Sequence, residues 1–400
     1  MPSGDDVRTT LLPHAPDLVS MIPDDGDLTC WLRHGRGMIG LGVAHRGSFN
    51  CAARAENWWR ELVRRATIKV DPGVSDIDMA GPVAFLSFPF AAQGTYEMVV
   101  PKVVIGRDEN KGWITAWNGS TWNPPASTPK PHRSLTFHPD GLDHDHWICA
   151  VDHILERIDH GDVDKVVLAR AEIAESDQDI DIAGLVTRLA TTYPQTWTFA
   201  VAKLIGATPE LLVRSSRGQV ASRVLAGTID PSHDEASAQA LRTSGKDLAE
   251  HEYAVASVAR GLSDHVTNLK VPDCPFVLRL PNVMHLASDI TATAKPGSTA
   301  IRLADAIHPS AAVGGTPTSV ATAIIEQIEP VDRGRYAGPV GWVNAAGDGE
   351  IGLALRCGMI DAHRARIFAG CGIVADSSAQ AEWEETVAKL RPMKQALTPA

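Results

Sequence analysis

Glu382, Glu385 and Lys389 stand at i, i+3 and i+7 near the end of the chain. On a helix of about 3.6 residues per turn they fall within an arc of roughly 60°, so two carboxylates and an ammonium share one face. Carboxylates one turn apart repel by about 0.2–0.5 kcal/mol, and a hard cation that takes oxygen ligands would turn that cost into a gain. Such a helix on its own is ordinarily a solvated acidic face. Here it follows Gly370-Cys371-Gly372, a strand ending whose backbone N–H groups carry no bulk and suit the close approach of an anion. Ala226-Gly227-Thr228, after Leu225, offers the same opportunity. Ser377 and Ser378 are expected to open the helix, with Gln380 completing a capping box with Ser377. Trp383, Val387 and Leu390 form a separate stripe expected to face a core.

Five further residues could carry chemistry, three of them, Lys165, Glu210 and Arg356, beside apolar runs. Lys165 opens the run Val166-Val167-Leu168-Ala169. It is either a strand-edge lysine held in water or a desolvated amine able to act as a general base. Glu210 follows a turn at Thr208-Pro209 and enters Leu211-Leu212; burial there would raise its pKa and make it a proton donor, whereas an exposed turn-edge glutamate would do nothing. Glu250 and His251 sit in an early turn of a long amphipathic helix, where most charges face solvent. Arg356, flanked by Leu353, Ala354, Leu355 and Cys357, reads as a guanidinium within an apolar strand that needs a carboxylate partner.

These groups need rigid elements to hold them. Periodicity predicts helices near 56–66, 146–159, 245–266, 317–328 and 378–391. It predicts strands near 38–44, 82–88, 97–105, 112–117, 165–170, 198–202, 211–214, 340–344, 350–357 and 365–369. Strands in hairpin-like pairs with helices grouped elsewhere predict an α+β fold of large, mostly antiparallel sheets in layers flanked by helices. Residues 1–27 are expected to be an irregular lead-in, 28–145 the N-terminal part of the same fold, and 146–395 the catalytic region, with the proline-rich run 123–131 as a surface connection. No Walker loop and no Gly-x-Ser-x-Gly elbow occurs.

The chain has 400 residues, 44% hydrophobic and 21% charged, ordinary values for a globular protein with a large core. A net charge of −11 argues against nucleic acid or an anionic membrane as partner, so any bound anion must meet local positive charge or a metal. The six cysteines include no Cys-x-x-Cys pair, which disfavours zinc and dithiol chemistry and fits a reducing, cytoplasmic setting. No signal-peptide pattern and no long apolar run is seen.

Taken in order, the segments 165–170, 206–212, 225–228, 246–251, 336–338, 354–356, 369–374 and 382–386 resemble the chorismate-utilising enzymes, which include isochorismate, salicylate, anthranilate and aminodeoxychorismate synthases. The resemblance covers roughly 146–395 and implies chorismate as substrate and Mg²⁺ as cofactor. It implies that Glu250 and Glu385 hold the metal, with Glu382 in support. The enolpyruvyl carboxylate would meet Arg356, Tyr336 and the Gly370 and Gly372 backbone, with Lys389 close by. Ala226, Gly227, Thr228, His285 and Ala312 would complete the substrate site. Within the family, Lys165 resembles the base that activates water for attack at ring C2, and Glu210 the acid that protonates the departing C4 hydroxyl. Ala226 stands where aminodeoxychorismate synthases often carry a lysine. Ala312 resembles the isochorismate-forming members rather than the salicylate-forming ones, which tend to have threonine. The resemblance thus implies isochorismate formation, with salicylate formation or a catalytically silent chorismate-binding homologue as alternatives, and a monomer is expected.

Overall fold

The structure, a computed structural model, describes residues 5–23, 27–122, 135–229, 235–280 and 283–398. Strand-forming runs rich in Val, Ile, Phe and Trp assemble into two large sheets. The first runs Leu135–Asp140, Lys165–Ser176, Arg364–Ile373, Cys357–Asp361, Leu204–Thr208, Trp197–Val201, Leu28–Arg33, Arg36–Leu41, Val103–Asp108, Lys111–Trp117, Asp6–Leu11 and Thr67–Val70. The second runs Val266–Lys270, Val283–Ala294, Gln219–Ile229, Leu211–Ser216, Gly349–Leu353, Pro339–Asn344, Val83–Ser87, Tyr96–Val100 and His45–Phe49. Neighbours pair antiparallel except Asp6–Leu11 with Thr67–Val70, which is parallel. The α+β expectation of layered, mostly antiparallel sheets holds.

Period-2 alternation explains how the first sheet buries both faces. Trp31, Met38, Phe199 and Leu204 point inward, into one cluster with Val213, Trp342 and Ile351 of the second sheet. Their neighbours Cys30, Leu32, Ile39, Ala200 and Ile205 point outward, into a second cluster under the helices Ile182–Thr192 and Ala379–Leu397. The helices Gly245–Leu262 and Ala300–Ile307 bury Ala254, Val258, Leu303 and Ile307 with the second sheet. Among the described residues no helix is long and apolar enough to cross a membrane.

Several boundaries differ from the sequence reading for identifiable reasons. Asp6–Leu11 is a strand, within the stretch expected to be irregular; only Val7 and Thr9 of it are buried, too weak an alternation to register as a strand. The strand expected over 97–105 divides at Pro101-Lys102. The one expected over 350–357 divides at Ala354–Arg356, because Gly349–Leu353 belongs to the second sheet and Cys357–Asp361 to the first. Arg356 therefore lies in the crossing between sheets, with φ +47°, and not within a strand. The last helix continues through Pro392 to Leu397. An interior proline costs about 3 kcal/mol, but Leu390, Met393, Ala396 and Leu397 stay buried in the outer cluster and outweigh it. The proline-rich run at 123–131 lies outside the described residues.

Phe199 has no exposed surface and packs against Trp31 in the layer between the sheets. Phe199→Ala should lower stability by about 3–5 kcal/mol, read as a clear fall in the denaturant midpoint. An unchanged midpoint would contradict a core at this position.

Candidate active site

The charged residues singled out by the sequence converge where the sheets are stitched together. Lys165 opens the strand Lys165–Ser176 and pairs with Thr316 on one edge. On the other edge lies Arg364–Ile373, with Val167 opposite Gly372 and Ala169 opposite Gly370. Lys165 is 0% exposed, so the reading of a strand-edge lysine in water fails. Its Nζ lies 3.1 Å from Glu250 Oε1. Glu250 projects from the helix Gly245–Leu262, whose entry is fixed by the Asp247 N–H donating to the Ser244 side chain. A Cβ at Gly372 would collide with Glu250 Oε1 and come within 2.8 Å of Lys165 Cε, so glycine there is what lets the pair form.

Gly227 supplies the second hold on Glu250. The strand Gln219–Ile229 bulges between Ala226 and Thr228, with Gly227 at φ +76°, a conformation glycine adopts without strain. The bulge turns the Gly227 N–H toward Glu250 Oε2 at 3.2 Å. Burial alone would raise the Glu250 carboxyl, but Lys165, Lys389 and Lys246 outweigh it and hold the pKa below its usual value.

Glu210 and Arg356 sit on the two short crossings between sheets, Thr208 to Leu211 and Leu353 to Cys357. The crossings brace each other, the Leu353 N–H donating to Glu210 O at 3.2 Å and the Ala207 N–H to Arg356 O at 3.2 Å. Glu210 is 5% exposed, and desolvation pushes its carboxyl up to about 8 despite a backbone hydrogen bond from Leu225 and the fields of Lys165, Arg356 and Lys389. It is therefore a proton donor at neutral pH. Arg356 Nη2 lies 3.4 Å from His285 Nε2. Burial, then Arg356 and Lys389, keep His285 well below its usual pKa, hence neutral. Tyr336 stacks on Phe368 at 4.9 Å and 9°.

Glu210, Glu250, His285, Tyr336 and Arg356 line one small cavity of about 50 Å³, and Lys165 reaches its wall through Glu250. Its wall includes Glu210, Ala226, Gly227, Glu250, His285, Ala312, Tyr336, Arg356, Gly370, Gly372 and Lys389. Thr228 continues the strand opposite His285, and its side chain lies outside the described residues. Sequence reasoning missed Arg333 and Val167 on this wall, and Lys246 beside it. Arg333 carried a signal in its i, i+4 spacing from Glu329; Val167 carried none.

The helix Ala379–Leu397 turns its polar stripe inward. Glu382 is 1% exposed and ion-paired to Lys246; Glu385 pairs with Lys389, whose Nζ also donates to Gly370 O at 2.9 Å. Burial, then the neighbouring Glu385 charge, raises the Glu382 pKa. Val387 faces solvent at 38% exposure, contrary to the expected apolar stripe, because the lysine-paired carboxylates occupy the inner face. The capping box does not form either: Ser377 Oγ accepts from the Val374 N–H, and Gln380 bonds His144 and Glu384. Glu250, Glu382 and Glu385 are hard oxygen donors of the kind Mg²⁺ takes, and in that respect the set fits the ion. Each of the three is held by a lysine, and among the described residues no three candidate ligands converge into a ready-made metal cluster.

The family described as "Chorismate binding enzyme" matches residues 114–398. The chain is 34% identical over 264 residues to isochorismate synthase MenF of Bacillus subtilis, covering 64% of this chain and 56% of that protein, so the match spans little more than half the relative's length. It is 32% identical over 367 residues to the vibriobactin-specific isochorismate synthase of Vibrio cholerae, covering 88% of this chain and 87% of the relative. The solved structure of MenF, the menaquinone-specific isochorismate synthase of Escherichia coli, shares the fold with a TM-score of 0.83 at 22% identity, over 99% of this chain and 95% of that one.

Gly372→Ala should force Lys165 and Glu250 apart without touching the cores. Whatever reaction this cavity performs is expected to slow by about a hundredfold or more, the scale of a 1 Å misplacement, in a protein that still folds. Full turnover in a folded Gly372→Ala protein would refute the close packing of the pair.

Proposed function

The chain belongs to the family of chorismate-binding enzymes, and from that membership we propose that it is an isochorismate synthase, an isomerase that exchanges the C4 hydroxyl of chorismate for one at C2. The observation that carries this reading is a fully buried lysine ion-paired to Glu250 on a cavity wall that also holds Glu210, whose carboxyl is pushed up to about 8. Water adds at ring C2, the ring double bonds shift, and the C4–O bond breaks. Lys165 is proposed as the base that takes the proton of the incoming water, and Glu210 gives one to the departing hydroxyl, so no atom is gained or lost overall. Ala226 and the neutral His285 put no amine on their side of the cavity, and the Lys389 amine is tied to Glu385 and Gly370 O, which disfavours attack by a protein nucleophile.

Arg356, Tyr336, Lys389 and the Gly370–Gly372 backbone are proposed to receive the enolpyruvyl carboxylate; they supply the local attraction that the net charge of −11 withholds. Glu250 and Glu385 are proposed to hold Mg²⁺ against the ring carboxylate, with Glu382 supporting them through its tie to Lys246. The ion would neutralise charge on that carboxylate and polarise the ring.

Purified protein with chorismate and Mg²⁺ should yield isochorismate, identified by chromatography against a standard. Lys165→Ala and Glu210→Gln should each remove the activity while the fold persists. Prompt salicylate and pyruvate would transfer the chain to the lyase members. Binding of chorismate without turnover would revive the silent homologue.

The pH dependence has a definite sign. Glu210 must be protonated to act, so kcat/KM should fall as pH rises through about 8. Its folded pKa lies above the ordinary 4.5, so the stability it contributes is complete below 4.5 and is lost as pH rises toward about 8. A profile still flat well above that range would remove Glu210 as the acid. Glu385→Ala should lose activity along with its Mg²⁺ dependence; an unchanged Mg²⁺ titration would refute the ligand assignment.

A further inference from the structure

The strand Lys165–Ser176 has an unusual edge. Gly315–Thr316 pairs with Lys165 and Val166, and Leu135–Asp140 pairs with Ala171 through Ser176. Between them, residues 167–170 meet no strand on that side among the described residues. Edge N–H and C=O groups left unpaired in a buried place cost about 1–3 kcal/mol each. Here they are met. The Val167 N–H donates to Gly314 O at 2.8 Å, and the Ala169 N–H donates to Glu329 Oε1 at 2.7 Å. Val167 O accepts from Arg333 Nη2 at 2.6 Å.

Glu329 and Arg333 are themselves an ion pair, 6% and 3% exposed at their side chains, with Arg333 Nε donating to Glu329 Oε2 at 2.8 Å. Arg333 Nη1 reaches Val313 O at 2.8 Å, in the segment that brings Ala312 to the cavity. The guanidinium lies over the Phe90 ring, 4.2 Å from its centroid. Its nitrogens are thus committed to Glu329, Val313 and Val167, although Arg333 borders the cavity. Behind the gap, Val167 and Ala169 lie opposite Gly372 and Gly370, the backbone expected to meet the substrate carboxylate.

We infer that Glu329 and Arg333 are a positioning pair that stands in for a missing strand, fixing the Val167–Gly372 and Ala312–Val313 walls against which chorismate is held. This rests on the chorismate reading above. A carboxylate and a guanidinium fork suit the task because together they present one acceptor and several donors in a fixed plane, as a strand edge does. Lysine at 333 keeps the charge and loses the fork.

Arg333→Met alone would strand a buried carboxylate and is liable to unfold. The decisive variant is therefore Glu329→Leu/Arg333→Met, which removes both charges together and is expected to fold. In it the KM for chorismate should rise about tenfold or more with a smaller change in kcat, and amide exchange at Val167 and Ala169 should accelerate by about tenfold or more, with Phe199 and Val201 still protected. Arg333→Lys should fall between wild type and the double variant in KM. Unchanged exchange would overturn the inference, and so would faster exchange with a wild-type KM, which would leave a merely structural role. If wild-type protein does not turn over chorismate, the proposed function fails, and exchange at Val167 and Ala169 alone decides whether the pair seals the edge.

Discussion

Charge removed from water must be matched, and that constraint organises the whole site. Lys165 is fully buried, and removing one partner of a buried pair typically costs 3–5 kcal/mol. The protein answers with Lys165–Glu250, Lys246–Glu382 and Lys389–Glu385, and a fourth pair, Arg333–Glu329, behind the cavity wall. Glu210 has no such pair. Desolvation outweighs the fields of Lys165, Arg356 and Lys389 there and pushes its carboxyl up to about 8, so it keeps its proton near neutral pH. A carboxyl that keeps its proton and carboxylates that serve as counter-ions are thus separated by environment among residues of one type.

The sheets make this matching possible by being stitched at the site. The crossings at Thr208 to Leu211 and at Leu353 to Cys357 carry Glu210 and Arg356 to the same place and hydrogen-bond to one another. Glycine works at the points of closest approach, since Gly372 admits the Lys165–Glu250 contact and Gly227 aims a backbone N–H at the same carboxylate. The result is a rigid frame that holds functional side chains on strand ends and helix faces rather than on long loops.

Much of this was legible in the sequence. Alternating apolar runs gave the antiparallel sheets, and the glycines beside charged residues gave the cavity wall. What stayed hidden depends on long-range partners. Arg356 read as a strand residue because its apolar neighbours mask a change of sheet. Val387 read as core because an acidic stripe looks solvent-facing until the lysines opposite it are known. Lys246 and Arg333 were missed because each acts through a residue far off in the chain: Glu382 for the one, Val167 for the other. Asp6–Leu11 was missed because its pairing with Lys111–Trp117 is what makes it a strand.

The central claim is that Lys165 directs a solvent water to C2 while Glu210 discharges the C4 oxygen. Turnover of chorismate in water enriched in oxygen-18, followed by mass spectrometry of the product, tests it directly. The account predicts isochorismate with one heavy oxygen, located at the C2 hydroxyl. Unlabelled isochorismate, with the C4 oxygen carried across the ring, would contradict it.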